Sequence, residues 1–309
     1  MKNLLKRLFK VIFSIALIFI LFKLIDLNKV INLIIDIDFK FLFFPAIIFF
    51  IGLFLSVKKW KKILEVYGIN INSSELFKLY LVGSFYNNFL PSTIGGDGYK
   101  FIKLNKKYNS KKKEILSSII LERAFGFFTW FVINLVFFFI FFRTIIKNKY
   151  LLSLEIFLIL GPPFLLILIN IFGKYFKIFK GISLMSKLSN LFSTLGIIIR
   201  NYKIFFFSFF ISIIINALTI FSIYSIFLSF GISVDLRIIA FCMSLIIIYS
   251  IIPISLNNIG FTESLSVLVF SIFMIDSAII LSTFLVARFT SILMSLFGGI
   301  SEVYDSIKK

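Results

Sequence analysis

Apolar runs of about 18 residues or more recur along the chain, at 8–25, 39–57, 115–142, 151–172, 204–230 and 279–300. Each is long enough to cross a bilayer core as a helix. Three further apolar stretches, 76–90, 238–253 and 264–273, are too short to span a core of about 30 Å comfortably. The alternating pattern of a membrane barrel, with strands of roughly ten residues, is absent. The pattern predicts an all-α, polytopic helical membrane protein of about 6–8 membrane segments.

One stretch breaks this pattern: Asn88-Phe-Leu-Pro91-Ser-Thr-Ile-Gly95-Gly96-Asp97-Gly98-Tyr99-Lys100. A proline, three glycines and a carboxylate within eight residues do not continue a helix. Irregular backbone at membrane depth survives only where protein or a watery cavity satisfies its polar groups, so this stretch is the first candidate site. When Pro91 is laid over Pro253, Gly95-Gly96 fall on Asn257-Asn258, Gly98 on Gly260 and Tyr99 on Phe261. An arginine follows each motif inside an apolar run, Arg123 and Arg288. Interrupted segments at matching places in two halves mark a transporter-type binding site. They define candidate repeat halves, 39–142 and 204–303, within a single integral membrane domain, 1–309. Chance similarity in a chain rich in Phe and Ile is the competing account.

Composition sharpens the class. Hydrophobic residues make up 60% of the chain and the mean hydropathy is +1.06, against roughly 45–50% apolar content in soluble domains. Lys and Arg outnumber Asp and Glu by 33 to 14, but they gather between the apolar runs. That placement marks loops facing anionic lipid and argues against nucleic acid as a partner. By this rule Lys2, Lys6, Arg7 and Lys10, the run Lys58-Lys59-Trp60-Lys61-Lys62 and the lysines of 100–113 are cytoplasmic. The charge-balanced segment 23–40 faces outward.

Residues 76–98 then form a re-entrant hairpin from the cytoplasmic side, and 238–273 a second from the outside, as an inverted repeat requires. Arg143, Lys147 and Lys149, in a loop assigned outside, run against this scheme. The 8–25 run resembles a signal peptide but lacks a small-residue cleavage site, and is expected to be a retained first span. Both termini are expected in the cytoplasm, the chain in the cytoplasmic membrane. Gly161-Pro162-Pro163 predicts a kink, and 175–203 a cytoplasmic amphipathic segment. With no His and a single Cys242 among apolar residues, disulfides, thiolate metal sites and imidazole catalysis are excluded, and no cofactor is expected.

The candidate side chains each carry two readings. An arginine within a span costs about 2.5–3.5 kcal/mol, so Arg123 and Arg288 are not left facing lipid. Their guanidinium forks suit phosphate oxygens. They equally suit an ion pair with Asp97 or Glu263, or snorkelling to the interface. Asp97 and Glu263 suit proton or cation coupling. Asp97 also suits capping of a helix beginning near Tyr99, while Glu263 beside Asn257 and Asn258 favours a polar site. Glu122 is placed to neutralise its neighbour Arg123. Gly95, Gly96, Gly98 and Gly260 permit close backbone approach to an anionic head group, or simply form turns. Lys100, with Lys103, Lys106 and Lys107, either gathers anionic lipid at a cytoplasmic mouth or only sets topology.

The ensemble resembles the family typified by the membrane part of lysylphosphatidylglycerol synthase, the flippase-like domain family. The resemblance covers nearly the whole chain. It rests on Asn87-Asn88-Phe-Leu-Pro91 leading to Gly95-Gly96-Asp97, on Glu122-Arg123-Ala-Phe-Gly126, on Pro253 through Gly260 to Glu263, and on Arg288. Departures are Lys100, where the family usually has arginine, and Asn257-Asn258 with Thr262, where it commonly has glycines and a basic residue. Lysine keeps the charge but loses the bidentate fork. The resemblance implies handling or movement of lipids across the cytoplasmic membrane, and no lysyl-lipid synthesis from a chain ending at Lys309 without a transferase domain.

The leading expectation is a non-enzymatic lipid translocator for an anionic phospholipid or polyprenyl-phosphate-linked lipid, whose head group is held by Arg123, Arg288 and Lys100. The alternative is a non-transporting accessory subunit that anchors or supplies lipid to a separate lipid-modifying or glycosyl transferase.

Overall fold

The computed structural model describes residues 25–89, 95–160, 201–252 and 254–307, with Phe19, Leu21 and Lys23. Most of the expected first span, Pro91, Pro253, the 161–163 kink and nearly all of 175–203 lie outside these residues. Within them every regular element is helical, as the apolar pattern requires.

Helix α1 (Leu27–Ile35) is capped by Asp26, whose carboxylate accepts from the backbone N–H groups of Asn28 and Lys29. A short 3₁₀ turn, Phe39–Leu42, leads into α2 (Phe43–Val66). Helices α3 (Ser73–Phe89) and α4 (Gly95–Lys107) form the first hairpin, and α5 (Lys112–Ile140) follows. A six-residue α6 (Phe142–Lys147) and α7 (149–160) precede α8 (Tyr202–Ser229). Helices α9 (Leu236–Tyr249) and α10 (Phe261–Ser271) make the second hairpin, and α11 (Ser277–Ile307) closes the described chain.

Among the described residues, four helical stretches are long and apolar enough to cross a membrane: Phe39–Val66, Lys112–Ile140, Tyr202–Ser229 and Ser277–Tyr304. The chain is thus an all-α polytopic membrane protein. Much of its apolar surface stays outward, with Phe139, Phe289 and Phe210 each more than half exposed. In water such a surface would drive aggregation; in a bilayer it is the solvated face.

Helix contacts fall into matched pairs. Helix α3 packs on α11 as α9 packs on α5. The pairs α3–α4 and α9–α10, α4–α5 and α10–α11, α2–α3 and α8–α9, and α2–α5 and α8–α11 correspond likewise, as do α5–α8 and α2–α11, while α2 lies directly against α8. Each hairpin is therefore clasped by the long helix that follows the other hairpin.

The structure departs from the sequence reading at Gly95–Gly98, where helix resumes four residues earlier than expected. Glycines and an aspartate fit a first turn, where Asp97 meets the positive end of the helix dipole and Gly96 lets two backbones touch. A Cβ on Gly96 would overlap the Gly83 carbonyl of α3.

Candidate functional site

The first hairpin places its carboxylate by backbone means. Gly96 N–H donates to Asn87 Oδ1 at 2.7 Å, tying the start of α4 to the end of α3. Asp97, 6% exposed, then points at α5. Its Oδ1 receives Lys100 Nζ at 3.1 Å and its Oδ2 receives Arg123 Nε. Lys100 is buried as well, with its ammonium 3.9 Å from the Tyr80 ring centre and 5.1 Å from that of Trp60. Trp60 is held in turn by its indole N–H, which donates to Ser118 Oγ at 3.1 Å. The neighbour of Arg123 on α5 forms a second pair: Lys59 Nζ meets Glu122 Oε1 at 3.1 Å and donates to Ser212 Oγ at 3.2 Å.

The second hairpin repeats the carboxylate–arginine pair. Glu263 Oε1 receives Arg288 Nε at 2.7 Å, and its Oε2 accepts from Gly260 N–H at 2.8 Å. Arg288 also donates to Thr262 Oγ1 at 2.7 Å and to the Asn257 carbonyl at 3.5 Å. The chain enters α10 through left-handed residues, Asn257 (φ 48°), Asn258 (φ 55°) and Gly260 (φ 81°), which Asn and Gly adopt most readily. The motifs also meet: Asn257 Nδ2 donates to the Asn88 carbonyl, and Asn88 Nδ2 to the Ser291 carbonyl, both at 3.4 Å.

The two arginines hold matching places along their helices. Arg123 lies eleven residues beyond the start of α5 and Arg288 eleven beyond the start of α11. At about 1.5 Å per residue this is about 16 Å along each helix. They differ in access and charge. A cavity of about 570 Å³ opens beside Asp97, Gly98 and Arg123, with Ser250 and Asn258 opposite and Phe101, Leu116, Ile120 and Phe127 as apolar wall. Arg288 does not line it. Around the first pair stand three cations, Lys59, Lys100 and Arg123, against two carboxylates, Asp97 and Glu122, one positive charge in excess among the described residues. Arg288 and Glu263 balance.

Several expectations are corrected. Asp97 does not cap a helix near Tyr99; it is the third residue of a helix that starts at Gly95. Lys100 does not stand at a lipid-gathering mouth, because the aromatic box of Tyr80 and Trp60 encloses it. Glu122 pairs with Lys59 besides neighbouring Arg123. The amides of Gly96 and Gly260 are taken by Asn87 and Glu263, so those two glycines do not offer N–H groups to a head group.

The sequence reading missed Lys59, hidden in a run that marks a cytoplasmic boundary, although α2 continues past it to Val66. It also passed over Glu155, a lone carboxylate in an apolar run, which was the available signal.

No solved structure matches this chain. A UPF0104 membrane protein of Methanocaldococcus jannaschii is 30% identical over 129 residues, 40% of this chain and 38% of that protein's length. The family model for the lysylphosphatidylglycerol synthase transmembrane region matches residues 7–299, and with that match the chain belongs to this family.

Proposed function

We propose that the protein is a lipid translocator that takes an anionic head group into the cavity beside Asp97 and Arg123. The observation that carries this reading is the one cation in excess in the buried cluster behind a mostly apolar cavity that Arg123 and Asp97 line. A buried net charge needs a counter-ion, and a phosphate bound at the guanidinium supplies one. The wall of Phe101, Leu116, Ile120 and Phe127 suits acyl or prenyl chain. Asp97 holds the guanidinium in place, and an arriving phosphate competes with it for the same donors. We further propose that the matched halves form an inverted repeat about the α2–α8 contact. Its two arginine sites would then alternate between the cavity-lining arrangement of Arg123 and the arrangement of Arg288, which does not line the cavity.

The accessory-subunit reading keeps one support, since the family takes its name from the membrane region of a synthase. Reconstitution separates the two. Purified protein in liposomes should move a fluorescent anionic phospholipid between leaflets, and the Arg123→Ala variant, in which Asp97 keeps Lys100, should insert normally and move none. Transport retained by that variant would sink the mechanism. Absence of transport by the wild type, with stable co-purification of a transferase, would establish the accessory role.

A further inference from the structure

Away from the arginine sites, one buried carboxylate has no cation. Glu155 on α7 is 1% exposed, within the apolar layer formed by Leu151, Leu158, Trp130 and Leu245. Its Oε1 accepts from Asn134 Nδ2 of α5 at 3.1 Å; its Oε2 is buried without a hydrogen-bond partner. From α9, Ser244 and Tyr249 face the same place, but both hydroxyl protons are spent. Ser244 donates to the Phe241 carbonyl at 2.6 Å and Tyr249 to the Leu154 carbonyl at 2.5 Å. Among the described residues no lysine or arginine lies within ion-pair distance of Glu155.

This is the reverse of Asp97, Glu122 and Glu263, each of which meets a cation. An ionised carboxylate here would carry a desolvation cost of several kcal/mol against a single neutral donor, whereas the neutral acid escapes most of that cost. Asn134 fits the neutral acid in either amide orientation. In one orientation its Nδ2 donates to Oε1 and also to Ser244 Oγ at 3.3 Å. Turned over, its Oδ1 would accept the acid's own proton. A hard metal cation fits poorly, because it wants about six oxygens and the Ser244 oxygen already accepts an N–H.

We propose that Glu155, bonded by Asn134, which Ser244 anchors in turn, is a buried proton-binding site. The carboxyl is neutral in the packed arrangement. It releases its proton when α7 or α9 shifts enough to admit water: the O–H bond breaks, its electron pair stays on the carboxylate, and the proton passes to water. The site is separate from the head-group cavity, since Asn134 lies eleven residues beyond Arg123 on α5, about 16 Å along the axis. Polar side chains occupy the interval, with Lys59 donating to Ser212, and Asn216 donating to Thr129 at 2.9 Å. A smaller cavity of about 210 Å³ lies beside Lys59, Glu122, Ser212 and Asn216.

Infrared difference spectroscopy on the full chain in lipid nanodiscs, with ¹³C-labelled glutamate, tests this without requiring lipid movement, so its outcome is independent of the transport reading. The wild type should show a deuterium-sensitive carboxylic-acid C=O band that Glu155→Gln removes. Asn134→Leu should keep the band and move it to higher frequency, as a carbonyl does on losing a donor. Should Glu155→Gln fail to fold, the labelled wild type and Asn134→Leu decide alone. An acid band identical in wild type and Glu155→Gln overturns the proposal, as does the absence of any labelled acid band. A band abolished by sodium at fixed pH would assign the site to a metal cation and likewise overturn it.

Discussion

Arg123 and Arg288 hold the same place along their helices and bond a carboxylate through the same atom, yet their replacement should have different consequences. Removing Arg123 leaves Asp97 with Lys100 and cancels the excess charge at the cavity. Anionic lipid affinity should therefore fall at least tenfold, about 1.4 kcal/mol, with little change for a zwitterionic lipid. Native mass spectrometry across a lipid series reads this directly, and equal loss for both lipid classes would count against a charge-based site. Removing Arg288 leaves Glu263 buried without its partner, a loss of about 3–5 kcal/mol when a buried pair is broken from one side. Arg288→Ala should show a large drop in thermal midpoint that adding Glu263→Gln partly restores. An unchanged midpoint would mean that Arg288 is not structural.

The two hairpins show what was legible in the sequence. Their existence followed from short apolar runs around a glycine- and proline-bearing break, and from positions too polar to face lipid. Their register did not. Superposing the prolines sets Asp97 against Ile259, whereas the structure makes Asp97 and Glu263 each the third residue of its helix. The shift is four residues, about one helical turn, so the carboxylate stays on the same face while the linking loops differ in length. A linear motif match cannot see that compensation, nor could it place Lys59 opposite Glu122, because that pair depends on how α2 crosses α5. Packing also separates two glycines that look alike in sequence. A Cβ on Gly96 strikes the Gly83 backbone, while one on Gly98 meets open space. Gly96→Ala should destabilise by about 1–3 kcal/mol through overpacking. Gly98→Ala should be neutral or stabilising by up to about 1 kcal/mol, as expected for Ala replacing Gly in a helix. Thermal unfolding in detergent compares the two, and equal effects would contradict the hairpin contact.

For the molecule as a whole, the matched contacts suit the alternation of two arginine sites proposed above. Each hairpin is gripped by the long helix after the other hairpin, so a shift at one site would also move an element packed against its counterpart. Alternation of this kind moves a lipid across the bilayer only if the halves are inverted, with α5 and α11 starting on opposite faces. Lys113, exposed beside the start of α5, and Met274, 95% exposed before the start of α11, report those two ends. Cys242 is fully buried and can be replaced by Ala to give a cysteine-free background. In intact cells an impermeant maleimide should label Met274→Cys, and should reach Lys113→Cys only after permeabilisation, if the lysine-rich segment 100–113 faces the cytoplasm as the positive-inside rule expects. Labelling of both positions from one face would make the repeat parallel. The alternating-site mechanism would then fall, even if Arg123 still bound an anionic lipid.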